Sequence, residues 1–210
     1  MKTPTLFYAS MLAMGIALAS CSSGGSGQSG ETTATQKEQV TVSNVTIDPG
    51  LSRVIWAGES FGVYTHTGTV KLVKADLEMN DGKIMGGSFT VDLKQISTTD
   101  DNYDADKGNT PEKLVGHLQS ADFFDVANHP EAIFEITGID GTTATGLLTV
   151  RGKTNEEKVE NIAIEKEGDR VRITGEMTFD RKKYDVAWDY PIKEMVLSDD
   201  VKLKIELVGS

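Results

Sequence analysis

Apolar and polar residues alternate with a period of two through most of the chain from Val40 onward, the pattern of half-buried strands. Val40-Thr41-Val42 opens the series, and Arg53-Val54-Ile55-Trp56 follows as a short apolar run. Residues 69–77 largely alternate. The turn signal Asn80-Asp81-Gly82 divides them from the runs 83–85 and 86–93, as expected of a hairpin. Residues 132–137, 145–150, 158–166, 170–179 and 201–208 complete the set, with turn signals at Gly152-Lys153-Thr154-Asn155 and Glu167-Gly168-Asp169. Short strands at near-regular spacing, almost without helical units between them, predict an all-β antiparallel sandwich or barrel.

One stretch departs from the period of two. From Thr110 the chain reads Thr-Pro-Glu-Lys-Leu-Val-Gly-His-Leu-Gln-Ser-Ala-Asp-Phe-Phe-Asp-Val. Thr110 suits a helix N-cap and Pro111 the first turn. Leu114, Leu118 and Ala121 share a helical face, and Phe123 and Phe124 follow as a bulky pair. A short helix in an all-β chain is suited to plug or cover something. The preceding residues 97–109 are polar and acidic and predict an exposed loop. Their carboxylates do not meet the EF-hand spacing: counting from Asp100 puts Ala105 at the glycine position and Pro111 at the closing glutamate position.

The N-terminus carries a different signal. Lys2 precedes an apolar stretch from Leu6 through Leu18, followed by Ala19, Ser20 and Cys21. This is the layout of a secretory signal, with an apolar core too short to span a bilayer, which needs about 20 residues. Leu18-Ala19-Ser20-Cys21 resembles a bacterial lipobox, which implies cleavage before Cys21 and its acylation. Cys21 is the only cysteine, so it has no disulfide partner. The expected organisation is a signal peptide over 1–20, a flexible Ser/Gly-rich tether over 21–39, and one folded domain over 40–210. Ser22 in place of aspartate points, by analogy with lipoprotein sorting, to the outer membrane, facing the periplasm. The chain carries a net charge of −11, which argues against nucleic acid as a partner because phosphate binding needs clustered Lys and Arg.

The run His117-Leu118-Gln119-Ser120-Ala121-Asp122-Phe123-Phe124-Asp125-Val126, then His129-Pro130 and Ala132-Ile133-Phe134, resembles the signature of the YceI family, with His129 where tyrosine is usual. Residues 48–56, 146–154, Arg181 with Tyr184-Asp185-Val186, and 197–207 resemble further elements of that family in order, Asp185 replacing a glycine. The resemblance implies an eight-stranded, antiparallel, lipocalin-like β-barrel with a short helix over one mouth. It also implies non-catalytic binding of a long-chain amphiphile (a polyisoprenoid, isoprenoid quinone or fatty-acid-like chain) for carriage, storage or buffering at the cell envelope. No cofactor is expected beyond such a lipid, and the membrane is reached through the lipid anchor.

Alternation then supplies candidate bore residues as same-face pairs: Val54 with Trp56, Phe89 with Val91, Phe134 with Ile136, Ile162 with Ile164, Val171 with Ile173, and Met177 with Phe179. Leu114, Leu118, Phe123 and Phe124 are expected to form a lid able to open for ligand. Competing chemistry rests on His117, Asp122, Asp125 and His129, close enough in sequence for an acid/base set or a metal site acting on a lipid, although no HExxH-like spacing accompanies them. His117 is otherwise expected to hydrogen-bond backbone near the lid. Glu59, Ser60 and Arg181 stand as isolated polar residues, and Arg181 is open to two roles, binding a ligand headgroup or pairing with a carboxylate of the protein.

Overall fold

The computed structural model describes residues 43–61, 64–189 and 196–210. The strand expected at Val40-Thr41-Val42, the signal, Cys21 and the tether lie outside them. The strands are β1 (Ser43–Thr46), β2 (Arg53–Phe61), β3 (Tyr64–Asn80), β4 (Lys83–Thr98), β5 (Glu131–Asp140), β6 (Thr143–Val150), β7 (Lys153–Glu167), β8 (Arg170–Asp180) and β9 (Val196–Gly209), with helix α1 (Pro111–Gln119) between β4 and β5. Several short runs of the sequence merge into long strands: residues 83–85 and 86–93 are both part of β4.

Each strand pairs antiparallel with the next around the order β2-β9-β8-β7-β6-β5-β4-β3, and β3 closes back onto β2. The result is an eight-stranded barrel, which leaves no free edge among those eight strands. A barrel of this size is just wide enough for its own side chains or one slender ligand. β1 is an additional ninth strand. It pairs with β3 from Thr46↔Asp76 to Ser43↔Met79, beyond Val54↔Val70 where β2 leaves β3. On its other side Thr46 and Ser210 exchange backbone hydrogen bonds of 3.0 and 3.1 Å, and Ile47 bridges Gly209. β1 and the end of β9 therefore close this part of the wall together.

The tight turns follow from local chemistry. Asp81-Gly82 and Arg151-Gly152 both adopt positive φ, at 47° and 73° and at 49° and 71°, the geometry of two-residue hairpin loops that match strand twist. Asn161, at φ 55°, sits where the β7–β8 register shifts between Glu160 and Ala163, the mark of a bulge.

Inward side chains form two apolar clusters. The larger joins Trp56, Leu93, Phe134, Leu148, Met177 and Phe179 to Leu118, Phe123 and Phe124 of the lid segment. The smaller gathers Ile47, Leu72, Leu77, Met79, Ile84, Ile173 and Leu207 at the opposite end. The barrel thus has a lidded mouth and a packed floor.

Candidate functional site

Between lid and floor lies a cavity of about 390 Å³, lined overwhelmingly by apolar side chains. Ten of the twelve residues expected from alternation border it: Val54, Trp56, Phe89, Val91, Phe134, Ile136, Ile162, Ile173, Met177 and Phe179. Leu72, Leu77 and Ile84 border its floor, and Leu148, Val159 and Leu203 its walls. Two rings are seated by glycines. A Cβ on Gly68 would stand 2.5 Å from the Trp56 ring, and one on Gly146 would stand 2.5 Å from that of Phe134. Trp56 is further fixed by its Nε1–H, which donates to Ser97 O at 3.1 Å.

Ile164 and Val171, expected to line the bore, do not border the cavity. Ile164 is 38% exposed and Val171 packs against the floor cluster from outside the bore. The β7–β8 hairpin overhangs the barrel: the last β6–β7 pair is Ala144↔Val159, while Ile164 pairs only with Ile173 of β8. β6 ends before it reaches Ile164, which alternation along β7 alone does not show.

The lid residues all border the cavity, with Leu118, Phe123 and Phe124 buried. Thr110 caps α1, accepting from Lys113 N–H, and Pro111 opens it. After the helix the chain folds back tightly: Phe124 N–H donates to Leu118 O, Asp125 N–H to Ser120 O and Val126 N–H to Gln119 O. This turns the edge-on pair Phe123 and Phe124 inward, with ring centroids 4.9 Å apart. The segment is fastened to the wall by Gln119 Nε2, which donates to Lys94 O at 3.1 Å. Arg151 adds a second fastening, donating to Ala121 O at 2.8 Å and also to Asp185 O.

Apart from Thr174, next to Ile173 of the floor, the polar residues bordering the cavity stand at the mouth: Ser60, His66, Asn109, Lys113 and His117. His66 Nδ1 lies 3.0 Å from Asp100 Oδ1 and its ring stacks on Tyr103. Asp100 also accepts from the backbone N–H groups of Thr67 and Asn102. Burial pushes this carboxyl up, but those hydrogen bonds and His66 outweigh it and hold it below the usual carboxylate value. The acidic stretch expected to be an exposed loop therefore contributes a buried carboxylate to the mouth.

His117 and Asp122, Asp125 and His129 are not brought into one site. His117 borders the cavity, edge-on to Trp188 at 4.5 Å and to Phe123 at 5.4 Å. Asp122 is exposed. Asp125 accepts from Asn128 Nδ2. The ring of His129 lies over Gly152, away from the bore. No group of three or more His, Cys, Asp or Glu among the described residues is arranged to hold a metal. The hydrogen bond expected to tie the His117 ring to backbone is not made by Nε2, which is buried without a partner among the described residues. Burial holds this imidazole below its ordinary pKa, with Asp122 pulling the other way.

Arg181 resolves to the second of its two roles. It is 1% exposed, with Nε donating to Ser198 O and Nη1 to Val186 O and Trp188 O. Its Nη2 pairs with Asp189 at 2.8 Å and Asp199 at 3.2 Å. It holds the Val186–Asp189 stretch, and with it Trp188 at the mouth; it is not free for a headgroup. Glu59 pairs with Lys202 at 2.6 Å on the outside. One buried pair had no sequence signal: Tyr184 donates to Glu157 at 3.1 Å, and burial together with that carboxylate pushes the phenol up.

The YceI-like domain profile matches residues 45–209, the whole barrel. The chain belongs to the YceI-like family. A curated relative, UPF0312 protein SAB2563 of Staphylococcus aureus (strain bovine RF122 / ET3-1), is 27% identical over 140 residues, covering 63% of this chain and 75% of the relative. Among solved structures, Burkholderia cenocepacia BcnA superposes with a TM-score of 0.63 at 22% identity, over 79% of this chain and all of BcnA. A polyisoprenoid binding domain from Saccharophagus degradans superposes with a TM-score of 0.53 at 11% identity, over 81% of this chain and 99% of that one. At these identities the structural likenesses establish the YceI-like barrel as the shared fold.

Proposed function

We propose that this YceI-like barrel binds a single long-chain lipid non-catalytically, a polyisoprenoid, isoprenoid quinone or fatty-acid-like chain, and carries, stores or buffers it at the cell envelope. The observation that carries this reading is the apolar cavity running from the lid to the floor. Every methylene that moves from water into such a bore contributes about 0.8 kcal/mol, and a slender chain suits an eight-stranded barrel. The polyisoprenoid-binding neighbour is in keeping with this class of ligand. An enzyme working through the His/Asp cluster is the weaker reading, since of its four residues only His117 reaches the cavity. Mass spectrometry of an organic extract of the purified protein is expected to find a near-stoichiometric long-chain lipid; a clean extract from protein purified without detergent would sink the proposal.

The same reading includes a lipid anchor on Cys21, with the 21–39 tether holding the barrel at a membrane, the outer one and on its periplasmic face. Two or more acyl chains give durable attachment where one gives only reversible binding. Radiolabelled palmitate is expected to enter the wild-type chain and not Cys21→Ser, and the variant to leave the membrane fraction or remain uncleaved. Equal labelling of both would remove the anchor.

A further inference from the structure

Two buried side-chain polar atoms lack a hydrogen-bond partner among the described residues, Ser60 Oγ and His117 Nε2, and both residues border the mouth end of the same cavity. Ser60 is 6% exposed and stands on β2 opposite Leu197 of β9. His117 stands on α1 with its ring against Trp188. Leu197 and Trp188 also border the cavity, so wall and lid place the two residues at the same end of the bore. Buried polar groups are nearly always paired, and an orphan is costly because it gave up water without a replacement. Two such orphans at the polar end of a largely apolar cavity mark a place where something else supplies the missing hydrogen bonds.

Resting on the proposed lipid-binding role, we infer that Ser60 and His117 hydrogen-bond a neutral, oxygen-bearing head of the bound lipid, a hydroxyl or a quinone-type carbonyl. The lipid then lies with its head under the lid and its tail toward Leu72, Leu77 and Ile84. A hydroxyl can donate to one partner and accept from the other, and a carbonyl oxygen has lone pairs for both Ser60 O–H and His117 N–H. The surroundings disfavour a phosphate or diphosphate head. Lys113 is the one lysine or arginine among the described residues bordering the cavity, and its Nζ already donates to Gly108 O at 2.9 Å. Arg181 is committed to protein acceptors. The Asp100 carboxylate stands just behind His66, and partial burial holds the His117 imidazole below its ordinary pKa, which disfavours the cation an anionic head would want. Strong anion recognition depends on charged donors, which this mouth does not assemble.

The test is equilibrium binding of radiolabelled geranylgeraniol, the matching hydrocarbon without oxygen, and geranylgeranyl diphosphate to the purified full chain. Wild type is expected to bind the alcohol about tenfold more tightly than the hydrocarbon, as buried hydrogen bonds permit. Ser60→Ala and His117→Phe are each expected to lower that ratio several-fold, the hydrocarbon affinity of each variant serving as its own reference. Equal binding of alcohol and hydrocarbon, or a ratio unmoved in a variant of native melting temperature, overturns the assignment of the two residues. Tightest binding of the diphosphate overturns the neutral head. Failure of all three chains to bind overturns the lipid-binding reading beneath it. Should His117→Phe not fold, Ser60→Ala, which removes one hydroxyl, decides alone.

Discussion

Arg181→Met is expected to destabilise the barrel by about 3–5 kcal/mol, the range seen when one member of a buried charged network is removed. Methionine keeps most of the apolar stem but offers no donors. The carbonyl oxygens of Val186, Trp188 and Ser198 would lose their partner, as would Asp189 and Asp199. The two carboxylates are about half exposed and recover water, so most of the cost falls on the carbonyls and on the turn they belong to. Val186 is fully buried, and releasing its carbonyl would unseat it. Arg181→Lys should fall between wild type and Met, since one ammonium keeps the charge but cannot reach all five acceptors. Denaturant midpoints at unchanged slope measure the effect. A Met variant within about 1 kcal/mol of wild type, the size of an ordinary substitution, would mean that the guanidinium does not hold this stretch.

This network also shows where the sequence stops being legible. Its acceptors spread from Val186 to Asp199, in backbone carbonyls and in carboxylates that no spacing rule links to Arg181, so residues alone left a headgroup role and a carboxylate pairing equally open. By contrast the lid was readable, because a cap, a proline and an i, i+4 leucine pair are local signals that survive in the fold. The bore was readable as a face but not as a length. Period-two alternation follows from strand geometry, and Trp56, Phe134 and Phe179 border the cavity. Alternation carries no information about where a neighbouring strand ends, so it does not show that Ile164 lies past the end of β6. It also breaks at a bulge: Val159 and Ile162, three apart, both border the cavity because Asn161 shifts the register between them. The orphaned atoms of Ser60 and His117 are visible only when burial and partners are known together. In the sequence one was an isolated serine and the other a member of a cluster that does not assemble.

Ile136→Trp is expected to leave a folded barrel that no longer carries lipid. Ile136 borders the cavity and packs against both the lid-side and floor clusters, so it stands near the middle of the bore, where a tail bound at any depth must pass. Its cross-strand partner is Gly146, which adds no side chain of its own beside it. An indole there would project into a space of about 390 Å³ rather than into packed side chains, so the protein itself should lose little stability. The lipid would meet the overlap instead. A misfit worth about 1–3 kcal/mol weakens affinity about 5- to 150-fold, and lipid carried through purification falls with it. Ile136→Phe fills less and has no N–H to bury in an apolar wall, so it should give an intermediate loss. The control is Leu147→Trp on the adjoining strand, 38% exposed and outside the cavity. It adds the same ring to the outer surface and should extract the same lipid in the same amount as wild type. Lipid per protein, read by mass spectrometry alongside melting temperature, separates the outcomes. If Ile136→Trp melts like wild type and yields as much lipid as Leu147→Trp, the chain does not thread the bore at Ile136, and the lipid must be held somewhere other than along the barrel axis.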